Sequence, residues 1–196
     1  LFAVKPTDFI GFSKPKLLVK VGDKVKAGQP LYYDKSMENV KFAAAVSGEV
    51  VDIKRGEKRR LLQIVVKSDG ADSSVEHKKH SSSDIANLSA DEIKAHLAES
   101  GVWPNFVQRP FAVMANPADT PRDIYISGFD SAPLAPDYKT LFGGMDDAFT
   151  VGIEVLKKLT SGTVNLNVDS QDEIPQAYSK AKGIQINKFS GPHPAG

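Results

Sequence analysis

Leu17 to Val66 reads LLVKVGDKVKAGQPLYYDKSMENVKFAAAVSGEVVDIKRGEKRRLLQIVV. Short apolar runs are broken by turns at Val21-Gly22-Asp23, Ala27-Gly28-Gln29-Pro30, Ser47-Gly48 and Arg55-Gly56-Glu57. Short strands at regular spacing, bounded by glycine turns, predict a small all-β unit. Gly22 and Gly48 stand at sharp reversals, where a positive φ is cheap only for glycine. The unit is expected as a flattened sandwich closing near residue 67.

Outward from this stretch the pattern changes twice. Before it, Phe2, Val4, Phe9, Ile10 and Phe12 are too apolar for a free tail. They predict an extended edge strand and loop, with Pro6 and Pro15 limiting any ladder. After it, residues 68–83 read SDGADSSVEHKKHSSS and are nearly free of hydrophobics, as in a linker or exposed loop. From Asp84 the spacing becomes helical. Ser89-Ala90-Asp91-Glu92 has the form of a capping box, Ile93 and Leu97 share a face, and Gly101 is placed to stop the helix. Strand patterns follow at 123–127, 163–168 and 183–189, the first read as buried. A helix is expected over 145–160, with Phe149, Ile153, Leu156 and Leu159 on one face, and another over 172–182 with Pro175 in its first turn. Alternating strands and helices predict a parallel sheet with right-handed crossovers. The expected fold is mixed: a β domain over 1–67, a polar linker over 68–83, a Rossmann-like α/β domain over 84–190, and a loop over 191–196.

Composition excludes several functions. The 25 basic residues nearly balance the 24 acidic ones, so no nucleic-acid footprint is present. Basic clusters at Lys54-Arg55 and Lys58-Arg59-Arg60 read as solvated turns. With no cysteine there is no disulfide, thiolate metal site, Fe–S cluster or cysteine nucleophile. No apolar run reaches bilayer length, and a soluble or peripheral protein is expected. The chain opens on Leu1 and closes on a loop, so we expect a fragment cut at both ends.

Three kinds of chemistry have candidate residues. The hairpin tip Asp34-Lys35-Ser36-Met37-Glu38-Asn39 is where a biotinyl or lipoyl carrier domain, which the β unit resembles, bears its modified lysine. Lys35 and Met37-Glu38-Asn39 echo that pattern, but the Met-Lys-Met core is absent, and an ordinary turn lysine is the simpler reading. Nucleotide or flavin binding would use the long loop after the first strand of the sheet, Gly128 to Asp137. That loop has no phosphate-binding glycine pattern, and Pro133 and Pro136 each remove an amide donor. For acid–base work there are Asp130, Asp137, Asp146 and Asp147, more simply helix caps, and His193, held between Pro192 and Pro194 and read as a domain contact. His77 and His80 lack a third ligand and read as loop residues.

VKVGDKVKAGQPLYYDK, VKFAAAVSGEVVDIKRGEKR, SGVWPNFVQRPFA, SGFDSAPLAPD and FSGPHPAG together resemble the family formed by the A subunits of the sodium-translocating NADH:quinone oxidoreductase (Na⁺-NQR). The resemblance covers essentially the whole chain. It implies a barrel-sandwich hybrid domain followed by a Rossmann-like domain, in a peripheral subunit on the cytoplasmic face of a bacterial membrane. Its partners would be the membrane subunits of a complex that passes electrons from NADH to quinone and pumps Na⁺. FMN, FAD, Fe–S and NADH would sit on those partners and no cofactor on this subunit. The family is also similar in fold to the flavin subunit of respiratory complex I and to the C subunit of the Rnf complex. Against that relative, Trp103, Pro104 and Phe106 replace a glycine run that cradles FMN, and only Asp130 matches its acidic loop. The resemblance thus implies a degraded flavin site, with Trp103, Phe106, Tyr138 and His193 as interface or quinone-proximal residues.

Overall fold

The computed structural model describes residues 1–11 and 14–195 and divides into two compact units. One holds residues 1–79 with 91–119, the other residues 80–90 with 120 onward. Phe12 and Gly196, named above, lie outside the described residues.

The first unit is built from β1 (Phe2–Val4), β2 (Pro15–Leu17), β3 (Lys24–Val25), β4 (Pro30–Asp34), β5 (Met37–Ala43), β6 (Gly48–Arg55) and β7 (Leu61–Ser68). They form two antiparallel sheets, ordered β1-β7-β6-β3 and β2-β4-β5. Leu31, Tyr32, Val40 and Phe42 of one sheet are buried, as are Val50, Ile64 and Val66 of the other. The Tyr32 ring stacks on Phe42 at 4.6 Å, and Phe9 meets Phe42 edge-on at 4.8 Å. Phe9 thus gives the extended first segment an anchor as well as the β1 ladder. Gly48 starts β6 at φ 153, and a Cβ there would lie 2.0 Å from the Lys67 carbonyl oxygen.

The polar stretch over 68–83 is tethered at Asp69, which donates its N–H to the Ser47 carbonyl at 3.2 Å and accepts from the Ser47 hydroxyl at 2.7 Å, and again around Ala27. Ala27 donates its N–H to the Ser73 carbonyl at 2.9 Å, and Val75 donates to the Ala27 carbonyl at 2.8 Å. The chain then forms α1 (Ser82–Asn87) in the second unit and α2 (Ala90–Glu99) in the first. Ser81 and Asp84 make a full capping box on α1. After α2 come a tight turn at Trp103–Asn105 and the short hairpin β8 (Val107–Gln108) and β9 (Val113–Met114).

Packing divides the chain differently from its order. Residues 91–119 share a compact unit with the β sheets. The cause is tertiary: Gly101 lies so close to β5 that a Cβ would come 2.7 Å from the Cβ of Ala43, and the Trp103 turn packs on the same strand. Buried Lys94 ties α2 to the end of this segment by donating to the Asp119 carbonyl at 2.8 Å.

The second unit contains β10 (Ile124–Ser127), α3 (Tyr138–Leu141), α4 (Asp146–Leu159), β11 (Val164–Asp169), α5 (Gln176–Lys180) and β12 (Gln185–Phe189). The strands form a parallel sheet in the order β10-β11-β12. Leu166, Val168, Ala177 and Tyr178 form the core beneath α4 and α5, with Ile126, Phe142 and Phe149 packed against them. The strand read as buried over 123–127 is an edge strand, and Tyr125 on it is 62% exposed. The helix expected over 172–182 shrinks to α5, because Pro175 stands at its N-cap and Gly183 leaves it at φ 71. On the sheet face opposite the core, amides interlock. Asn187 donates to the side-chain oxygens of Asn165 (3.3 Å) and Asn167 (3.1 Å), and Gln185 donates to Asn187 (3.0 Å).

Candidate functional site

Parallel strands leave their carboxyl ends at one edge of a sheet, and ligands of open α/β sheets bind there. At the carboxyl ends of β10 and β11 a cavity of about 330 Å³ opens, lined by Gly128, Phe129, Asp130, Tyr138, Asp169, Glu173 and Tyr178 among others. A second hollow of about 240 Å³ shares Phe129, Asp130 and Tyr138 and adds Ser131 and Pro194. Gly128 makes the floor possible. Its backbone passes so close to β11 that a Cβ would meet the Asn167 carbonyl oxygen at 2.8 Å and the Tyr178 ring at 3.1 Å.

Tyr178 closes the inner wall. It is buried, sits 4.9 Å from Phe149 and donates its hydroxyl to the Gly128 carbonyl at 3.3 Å. Desolvation pushes its hydroxyl pKa up to about 12, so it stays a neutral donor across physiological pH.

The rim is acidic. Asp130, Asp137, Asp169, Asp172 and Glu173 line the cavity, against one cation, Lys139. Much of this charge serves local structure. Asp130 accepts from the Ala132 amide at 2.9 Å, Asp169 from the Gln171 amide at 2.8 Å, and Lys139 pairs with Glu173 at 3.2 Å. Asp137 caps α3, accepting from the Thr140 hydroxyl at 2.8 Å and the Lys139 amide at 2.9 Å. A flavin or nucleotide phosphate would meet these carboxylates where it needs free amides and cations. The residues present do not fit that group.

The Thr140 hydroxyl, then the Lys139 amide, hold the Asp137 carboxyl below its usual value. A depressed carboxylate contributes its cap above the unfolded pKa and loses it as pH falls through the folded one. The α3 cap therefore persists through the ordinary aspartate range, about pH 3.9, and breaks only below it. Carboxyl-carbon NMR titration of Asp137 checks this, and Thr140→Ala returns the midpoint toward the ordinary value.

The residues singled out from sequence fall into two groups. Asp130 and Tyr138 lie together at the cavity. His193 is exposed, with Nδ1 2.9 Å from the Ser131 hydroxyl, which also accepts from the Ala195 amide at 2.8 Å. Its described contact lies within the second unit and latches the closing loop to the loop after β10. Trp103 and Pro104 are buried in the first unit, and Phe106 is half-buried beside them, 5.0 Å from the indole. The Trp103 indole N–H donates to the Ala115 carbonyl at 2.8 Å. Trp103 and Pro104 belong to the interior of their unit, with Phe106 partly exposed against them. Lys35 is exposed at the β4–β5 turn, which the Asp34 carboxylate shapes by accepting from the Ser36 amide and hydroxyl, each at 2.9 Å.

Sequence reasoning missed Tyr178 and the run from Asp169 to Glu173. The spacing Ile174, Ala177, Tyr178 marks one helical face and could have found the tyrosine. Among the described residues no group of three His, Asp or Glu is placed to hold a metal, and no helix is long and apolar enough to cross a membrane.

The chain matches two family models, the NqrA N-terminal barrel-sandwich hybrid domain over residues 1–69 and the NqrA second alpha/beta domain over residues 88–196. It is 37% identical over 194 residues to the A subunit of the Na(+)-translocating NADH-quinone reductase of Marinomonas sp. (strain MWYL1), covering 99% of this chain and 42% of the relative. The protein of the same name from Actinobacillus pleuropneumoniae serotype 5b (strain L20) is 38% identical over 191 residues, covering 96% and 42%. That from Yersinia pestis is 36% identical over 191 residues, covering 96% and 41%. The chain spans about two fifths of the length of these curated relatives.

Proposed function

Because the chain belongs to the NqrA family, through both its barrel-sandwich hybrid and its second α/β domain, we propose that it acts within the NqrA component of a membrane redox complex that couples NADH oxidation and quinone reduction to Na⁺ pumping. In this reading it carries no cofactor of its own. It docks as a peripheral part on the membrane subunits at the cytoplasmic face and helps shape the approach to quinone, while FMN, FAD, Fe–S and NADH are held by the partners. The observation that carries the reading is a match running over 96–99% of the chain to relatives of that name. The acidic rim supports the absence of a flavin, since phosphate would be repelled from the place where the fold offers a cavity. Tyr138, which lines that cavity at the start of α3, and His193, against Ser131 beside the second hollow, are the residues we assign to the docking face.

Deleting the gene tests the role. Sodium-dependent quinone reduction by the membranes stops, while NADH oxidation by the isolated flavin subunit persists. Undiminished sodium-coupled quinone reduction would sink the reading. The cofactor-free part has its own check. The purified protein is colourless, and its thermal transition is unmoved by FMN or NADH.

A further inference from the structure

The turn between β6 and β7 concentrates charge that the rest of the chain lacks. Residues 54–60 read KRGEKRR, five cations against the single carboxylate of Glu57. That is a net +4 in a chain of formal net +1, so the remaining residues sum to −3. All five cationic side chains are exposed, and among the described residues none of them enters an ion pair. Arg55 donates to the Arg59 carbonyl at 3.1 Å, which holds the turn without neutralising it.

The backbone is strained where the charge is densest. Lys58 (φ 52) and Arg59 (φ 61) are consecutive left-handed residues, a conformation that costs any residue with a Cβ and suits glycine. Elsewhere positive φ falls on glycines such as Gly22, Gly28 and Gly70, or singly on Asp72 and Ala112. Here the chain keeps two long cations, at the end of its two eight-residue strands. Leu62, 39% exposed, packs beside Gly56 and adds apolar surface next to them. Neither of the two hollows described above touches this turn. It offers exposed cations at a strand end, outside both hollows, and a layer of lipid headgroups demands no more shape than that.

We propose that the β6–β7 turn is a membrane-docking element that rests on anionic phospholipid headgroups. The proposal builds on the reading of the chain as a peripheral part of a membrane complex, and it adds a direct lipid contact to docking through protein partners. Attraction to anionic headgroups falls off within a Debye length, so these side chains would have to lie at the surface itself.

Co-sedimentation of the 196-residue chain with vesicles of mixed phosphatidylcholine and phosphatidylglycerol, against vesicles of phosphatidylcholine alone, tests it. The chain binds the mixed vesicles, binding weakens with added salt, and neutral vesicles bind none. Lys58→Gly with Arg59→Gly lowers the partition coefficient about thirtyfold, from about fivefold per cation. Both glycines suit the turn, and the unchanged emission of buried Trp103 reports that the unit is still folded. Arg59→Lys, which keeps the charge, keeps the binding. No binding to mixed vesicles, equal binding to both kinds, or undiminished binding of the double-glycine variant overturns the proposal. Retention of the chain on the membrane subunits with no vesicle binding would give the turn to an acidic protein surface and also overturn it. The role within the complex stands or falls separately, on the gene deletion.

Discussion

Gly48→Ala lowers the stability of the first unit by about 3–5 kcal/mol, the range reserved for substitutions that clash with backbone or force a special φ. The added methyl would lie 2.0 Å from the Lys67 carbonyl oxygen and 2.8 Å from its carbon, at a φ of 153. Neither neighbour is a side-chain tip that can swing aside. Gly48 pairs with both Ser68 on β7 and Val25 on β3, so any shift breaks the ladder where three strands meet. Urea unfolding followed by Trp103, the single tryptophan and a residue of this unit, measures the loss. Gly22→Ala is the control. Gly22 has φ 91 but nothing within 4 Å of its missing Cβ, so alanine there costs only the backbone term, about 1 kcal/mol. Equal effects at the two positions would refute the steric account.

Tyr178→Ala costs the second unit a comparable 3–5 kcal/mol, the range for removing a buried aromatic ring. The ring sits within 6 Å of both Phe142 and Phe149, and its removal merges the cavity at the strand ends with the core of the unit. Tyr178→Phe keeps the ring and gives up only the bond to the Gly128 carbonyl, a loss of about 1 kcal/mol. Amide hydrogen exchange in β10–β12 separates the two. Alanine speeds exchange throughout the sheet, and phenylalanine changes it only near Gly128. If phenylalanine proved as costly as alanine, the hydroxyl and not the packing would dominate.

The β sandwich was legible because its turns announce themselves. Most reversals in Leu17 to Val66 carry a glycine, the Asp34–Ser36 turn is shaped by a carboxylate instead, and the runs between are too short for helices. The parallel sheet was legible for the opposite reason, since strands separated by helical spacing can pair in sequence order only through crossovers. Tertiary effects were hidden. Nothing in the letters of 91–119 says that this segment packs on the β sheets, because the contact of Gly101 with Ala43 joins residues 58 positions apart. An apolar alternation such as DIYIS cannot tell an edge strand from a central one. The Ser81 cap was lost among three equivalent serines, 81 to 83. Of the candidate site, the loop after β10 was expected from topology alone. Its acidic wall from Asp169 to Glu173 follows a different strand, and only the fold brings the two loops to one cavity.

The interlocked amides of the sheet have a consequence for how the unit assembles. A parallel strand slipped by two residues keeps its apolar side toward the core, so hydrophobic contact alone does not reject it. Asn187 reaches both Asn165 and Asn167, and it can do so at one offset of β12 against β11. A two-residue slip that sets Asn187 opposite Asn165 puts Phe189 opposite Asn167 and takes the donor from the Asn167 side-chain oxygen, a penalty of about 1 kcal/mol. The polar side of the sheet thus proofreads an alignment that its greasy side would let pass.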